Sequence, residues 1–122
     1  MNWTVLFHDE FEPEFRLLPE ALQDELFSHA VLLKQFGPNL GRPTVDTLSG
    51  SRHANMKELR FNWENEVWRI AFAFDPKRQA ILLVGGDKAG ANQRRFYKKL
   101  LALADDRYDA HLAELKGGPS NG

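Results

Sequence analysis

Glu58, Arg60 and Arg69 are the side chains whose types and spacing could do chemistry together. They fall in two runs that alternate like strands, Met56-Lys-Glu-Leu-Arg60 and Val67-Trp-Arg-Ile-Ala-Phe-Ala-Phe74. Successive side chains of a strand point to opposite faces. Trp68, Ile70, Phe72 and Phe74 therefore share a core face, which Leu59 and Phe61 match. Met56, Glu58, Arg60 and Arg69 fall on the other face. A turn near Glu64-Asn65 would set Arg60 opposite Arg69. Two guanidinium groups facing each other repel unless an anion compensates. Glu58 is the internal candidate, and a phosphate is the external one, because the planar fork of Arg suits phosphate oxygens. A carboxylate beside such a phosphate is placed to act as a general base. A solvated sheet face carrying a Glu–Arg pair explains the same parity at least as well.

A second basic group follows. Lys88 lies in the Gly85-Gly-Asp-Lys-Ala-Gly90 run, and Arg94, Arg95, Tyr97, Lys98 and Lys99 begin the last helix. Cations at a helix N-terminus oppose its dipole, which hints at a site. The plain alternative is a solvated basic face with Tyr97 at the core edge. Lys57 and His53, close to Glu58 in sequence, are further candidates for contact with RNA. His8, His29, His53 and His111 lie in four separate elements without paired spacing, so no metal site is expected, and no cofactor. The glycine run lacks the spacing and the Lys-Ser/Thr ending of a P-loop. No Gly-x-Ser-x-Gly elbow occurs, and the lack of Cys excludes a thiol nucleophile.

The 122 residues suffice for one domain with one core. The absence of Cys fits a reducing cytoplasm. No leader pattern opens the chain, and no apolar stretch approaches the ~18 residues of a membrane span. The net charge of −1 conceals an asymmetry. Residues 1–50 carry eight acids and three bases, residues 51–104 eleven bases and five acids, and residues 105–122 four acids and two bases. A basic middle of this kind can present a positive surface to phosphate.

The elements that must position these residues read as follows. A strand covers residues 3–8. A short helix capped by Asp9 carries Phe11, Phe15 and Leu18 on one face, and a longer helix opens at Pro19. Leu22, Leu26, Ala30 and Leu33 form the stripe of the longer helix, and Gly37-Pro38 stops it. A polar connection spans 38–55. Strands at 55–61, 66–74 and 79–85 form a meander, and 85–90 is a loop. Asn92 caps a final helix reaching about Leu115, with Phe96, Leu100, Leu103, Leu112 and Leu115 on its apolar side. One domain, 1–116, and a disordered tail, 117–122, are expected.

The ordered set Leu48-Ser-Gly-Ser51, Met56-Lys-Glu-Leu-Arg60, Trp68-Arg-Ile70 and Phe72-Ala-Phe-Asp-Pro-Lys-Arg78 resembles the HigB branch of the RelE/ParE toxin superfamily, also described as phage Gp49-like. The resemblance implies an α+β fold: a small twisted antiparallel sheet with an N-terminal helical hairpin on one face, an RNA site on the other, and a C-terminal helix. It also implies the toxin of a type II toxin–antitoxin pair, a metal-independent mRNA endoribonuclease acting on the ribosome. Its partner would be a helix-turn-helix, HigA-type antitoxin, through which alone it would meet operator DNA. By resemblance Glu58 is the general base, Arg60 and Arg69 hold the scissile phosphate, Lys88 assists the leaving group, and Tyr97 stacks on a base, with Arg94, Arg95 and Lys98 as RNA contacts. A ParE-like, non-catalytic gyrase inhibitor and an inactive phage-derived relative are the alternatives.

Overall fold

The computed structural model describes residues 2–88 and 92–117. The elements run β1 (Thr4–Phe7), α1 (Phe11–Arg16), α2 (Glu20–Phe36), a 3-10 turn (Gly37–Asn39), β2 (Val45–Thr47), β3 (Met56–Trp63), β4 (Glu66–Phe74), β5 (Gln79–Asp87) and α3 (Gln93–Lys116). The five strands form one sheet in the order β1-β5-β4-β3-β2. The fold is α+β, as expected, but the sheet is mixed: β2 to β5 are antiparallel neighbours, and β1 lies parallel to β5. The helical hairpin carries the chain from one edge of the sheet to the other, and the meander brings it back beside β1.

Glu64 and Asn65 both have positive φ and make a two-residue turn between β3 and β4, the geometry that matches strand twist. This turn fixes the register, so Arg60 pairs with Arg69 and Glu58 with Ala71. Gly37 ends α2 at φ +54°, and a Cβ there would come within 2.3 Å of the Trp3 indole, so both conformation and space demand glycine. Several boundaries differ from the sequence reading; β3, for one, runs on to Trp63 rather than ending at residue 61. The short helix is capped at Glu10 without a side-chain bond rather than by Asp9. Pro19 is the N-cap of α2 rather than its first residue. Gly85, Gly86 and Asp87, read as loop, continue β5 because they pair with Ile70, Arg69 and Trp68. The polar connection contains β2, whose three residues are too few to show periodicity. Residues 118–122 of the expected tail lie outside the described residues.

The sheet has two apolar faces. Phe11, Phe15, Leu22, Leu26 and Leu33 of the hairpin pack on Leu59, Ile70, Phe72 and Leu82. Met56, Ala71, Ala73, Ile81 and Leu83 pack under Leu100, Ala104 and Tyr108 of α3. The face read as open is thus roofed by α3, with the small Ala71 and Ala73 admitting its large side chains. Leu103, placed in the apolar stripe from sequence, is exposed, because the buried line runs 100-104-108.

Candidate active site between the sheet and the last helix

Glu58 and Arg69 occupy diagonal positions on the α3 side of the β3–β4 ladder. Both are only 6% exposed. Glu58 Oε1 lies 3.9 Å from Arg69 Nε and accepts a 2.9 Å hydrogen bond from the Tyr97 hydroxyl. The alanine opposite Glu58, Ala71, leaves the space in which Tyr97 enters. Asn92 caps α3 by accepting from the Arg95 N–H, as expected, and so aims the helix's first turns over this pair. The Arg69 guanidinium sits 5.9 Å from the Phe96 ring centre and 5.6 Å from that of Tyr97, within cation–π range. Arg69 Nη1 donates to the Val67 carbonyl at 3.0 Å. Its Nε–H is buried without an acceptor at bonding distance among the described residues. Burial, and then the bond to Glu58, raises the Tyr97 pKa above its ordinary value, which keeps the phenol a donor.

A buried carboxylate paired with a guanidinium that still has a donor to spare can hold a phosphate oxygen at one end and accept a proton at the other. Phe96, read from sequence only as part of the apolar side of the last helix, forms the side wall against Arg69. Gly86, the cross-strand partner of Arg69, lies beneath that wall, where even a Cβ would meet Phe96 only at an ordinary contact distance of 3.5 Å.

The remaining candidates distribute unevenly. Lys88 stands half-buried just past β5, two residues beyond Gly86. Arg94, Arg95 and Lys98 are exposed on the first turns of α3, beside the site. Lys57 pairs with Phe72, and alternation points it to the hairpin side, away from Glu58. His53 is not at the site: its Nε2 bonds Asp109 Oδ1 at 2.7 Å, in a cluster where Arg52 also meets Asp105, Asp106 and Asp109. Arg60 pairs with Arg69 in register, yet it lines a different cleft, with His29, Thr44 and Asn62. Among the described residues no three His, Asp or Glu side chains converge as a metal ion would require.

Residues 13–109 match the family described as Phage derived protein Gp49-like. The chain is 53% identical over 87 residues to HigB3, a candidate toxin of Mycobacterium tuberculosis, covering 71% of this chain and 74% of that protein. It is 47% identical over 93 residues to HigB2, a candidate toxin of the same organism, covering 75% of this chain but 45% of that longer protein. Among solved structures it is similar to a double-arginine mutant of E. coli toxin RelE in the free state, with a TM-score of 0.56 and 12% identity over 84% of this chain and 96% of that one. At that identity the likeness establishes the fold alone.

Proposed function

The chain belongs to the Gp49-like family, and on that premise we propose that it is the toxin of a toxin–antitoxin pair, an endoribonuclease that cuts mRNA at the ribosome without a metal ion. The observation that carries this reading is the buried Glu58–Arg69 pair with its spare Arg69 donor. A gyrase inhibitor, which needs no base, gives that arrangement no task.

The 2′-hydroxyl of RNA attacks the adjacent phosphorus and expels the 5′-oxygen. Glu58 takes the 2′ proton, and Arg69 neutralises charge growing on the phosphoryl oxygens. Lys88 returns a proton to the 5′-oxygen. The products are a 2′,3′-cyclic phosphate and a 5′-hydroxyl, and the required 2′-hydroxyl confines the reaction to RNA. Because Glu58 and Arg69 are covered, the first turns of α3 must lift for RNA to enter. The polar ties from α3 are concentrated past residue 100, at Asp105, Arg107, Tyr108, Asp109 and His111, whereas Tyr97–Glu58 ties its first turns to the sheet.

The test is expression in a bacterial host followed by primer extension on a reporter mRNA. Wild-type protein should arrest growth and leave new 5′ ends, and cleavage with purified ribosomes should persist in excess EDTA. Glu58→Gln and Arg69→Ala should each lower the cleavage rate by about 10²-fold or more. Full cleavage by both folded variants, or intact mRNA together with lost supercoiling, refutes the nuclease.

A further inference from the structure

We propose that the cleft at the free end of β3 is a second RNA subsite, in which Arg60 holds the phosphodiester of a nucleotide flanking the cut. This inference rests on the nuclease reading and moves Arg60 out of the reaction centre that strand register alone would give it.

Three observations support it. The first is geometric. β2 pairs only with Lys57–Leu59 and ends there, and the Arg60 N–H is taken by the Thr44 carbonyl at 2.8 Å. Beyond that point no strand of the described residues lies on the outer side of β3, and a cleft of about 330 Å³ opens, lined by His29, Thr44, Arg60, Phe61, Asn62 and Val67 among others. That volume lies at the small end of ligand clefts, which run roughly 300–1,000 Å³.

The second is electrostatic. Arg60 is the in-register cross-strand partner of Arg69, and like charges so paired destabilise a sheet unless each finds an anion or turns aside. Glu58 compensates Arg69 and not Arg60. Among the described residues no carboxylate lies within ion-pair distance of Arg60, and no acid lines the cleft. A half-buried guanidinium with no carboxylate of its own, whose cross-strand neighbour's counter-ion is already committed, favours an anion from outside.

The third concerns which anion. Thr44 and Asn62, which carry a hydroxyl and an amide, are among the lining residues, and both groups donate and accept. A ribose or a base edge uses both capacities, while a carboxylate uses donors alone. His29 is held in place by its own Nδ1 contact to the Glu25 carbonyl at 2.9 Å and by stacking on Phe61 at 4.9 Å between ring centres. It forms a rigid wall. These features favour a nucleotide over an acidic peptide.

The test uses the full chain and a labelled 2′-O-methyl RNA tetranucleotide, which lacks the attacking hydroxyl and so reports binding without cleavage. Wild-type protein should bind it with an affinity that falls as salt rises. Arg60→Gln should raise Kd about tenfold and lower the slope of log affinity against log salt by about 0.7, the effect of one lost phosphate contact on a single strand. Arg60→Lys should restore most of the slope. Asn62→Ala should weaken binding with the slope unchanged. Unaltered Kd and slope in a folded Arg60→Gln overturn the subsite, as does a wild type that binds no RNA. Arg60-dependent binding of a glutamate decapeptide but not of RNA also overturns it, and assigns the cleft to an acidic protein segment. Arg60-dependent RNA binding by a protein that cuts no mRNA sustains the subsite and refutes the nuclease.

Discussion

Asp75 shows how one side chain can join distant parts of this fold. It is buried at the β4–β5 turn, where Oδ1 accepts from the Lys77 and Gln79 N–H groups at 2.8 and 3.0 Å. Its Oδ2 meets the Gln79 amide at 2.7 Å and His111 Nε2, on α3, at 2.8 Å. Burial alone would raise the Asp75 pKa, but the bonds from His111 and Gln79 outweigh it and hold the carboxyl below its ordinary value. A folded-state pKa below the unfolded one gives stability that is present above the unfolded value, about 4, and lost as the pH falls through the folded value. Asp75→Asn should therefore flatten the acid limb of the Tm–pH profile below about pH 4. Identical acid limbs in both proteins would contradict this account. The sequence announced the turn through Asp75-Pro76 but not His111, which lies 36 residues further on. Glu58 and Arg69 were legible for a related reason: strand parity is local, and the two lie a single hairpin apart. Their burial was not legible, because nothing local says where α3 will dock.

At the scale of elements, the least anticipated contact is the one that ties α1 to α3 across β5. The β4–β5 register shifts between Ala71, opposite Val84, and Phe72, opposite Leu82, which leaves Leu83 as the extra residue of a bulge. The Leu83 carbonyl accepts from Arg107 Nη1 at 2.7 Å. The same guanidinium holds Glu14 of α1 with two bonds, at 3.0 and 2.6 Å. The bond to Glu14, set against burial, raises the Arg107 pKa and keeps it charged. A charged residue in the buried stripe of a helix contradicts amphipathic patterning, so periodicity had no means of finding it. Glu14→Gln would leave a buried guanidinium without its carboxylate. A fully buried pair broken in this way costs about 3–5 kcal/mol, and the half-exposed Glu14 reduces this to roughly 2 kcal/mol. Urea unfolding of the variant should show that loss, with the m-value unchanged. A change below about 0.5 kcal/mol, the scale of ordinary surface substitutions, would mean that Arg107 is held by Leu83 alone.

For the molecule as a whole, the charge asymmetry seen in sequence becomes a division of labour. Arg52 and Arg107 are spent on internal carboxylates, and Arg78 lies 4.6 Å over the Trp3 ring. Arg94, Arg95, Lys98 and Lys99 remain exposed on the first turns of α3, with no acid in that first turn. Their repulsion, added to an opposing helix dipole, makes this segment electrostatically costly when bare and attractive to any anionic surface. An antitoxin that copies the charge of RNA would bind here and hold the first turns of α3 down over Glu58 and Arg69. The competing surface is apolar. Phe11 and Phe15 are buried and unavailable, but Leu17, Phe27 and Val31 stand exposed on the helical hairpin, and a partner could cover them without touching the site. Salt separates the two arrangements. Exposed charge pairs are screened beyond about 8–10 Å at physiological ionic strength, whereas apolar burial is not. We expect the affinity of the co-expressed antitoxin to fall at least tenfold between about 50 and 500 mM salt, since several exposed pairs weaken together. Reversing Arg95 and Lys99 to Glu should abolish that dependence. Binding that is insensitive to salt but lost on Phe27→Asp with Val31→Asp would instead place the partner on the hairpin, leaving the basic surface free for RNA.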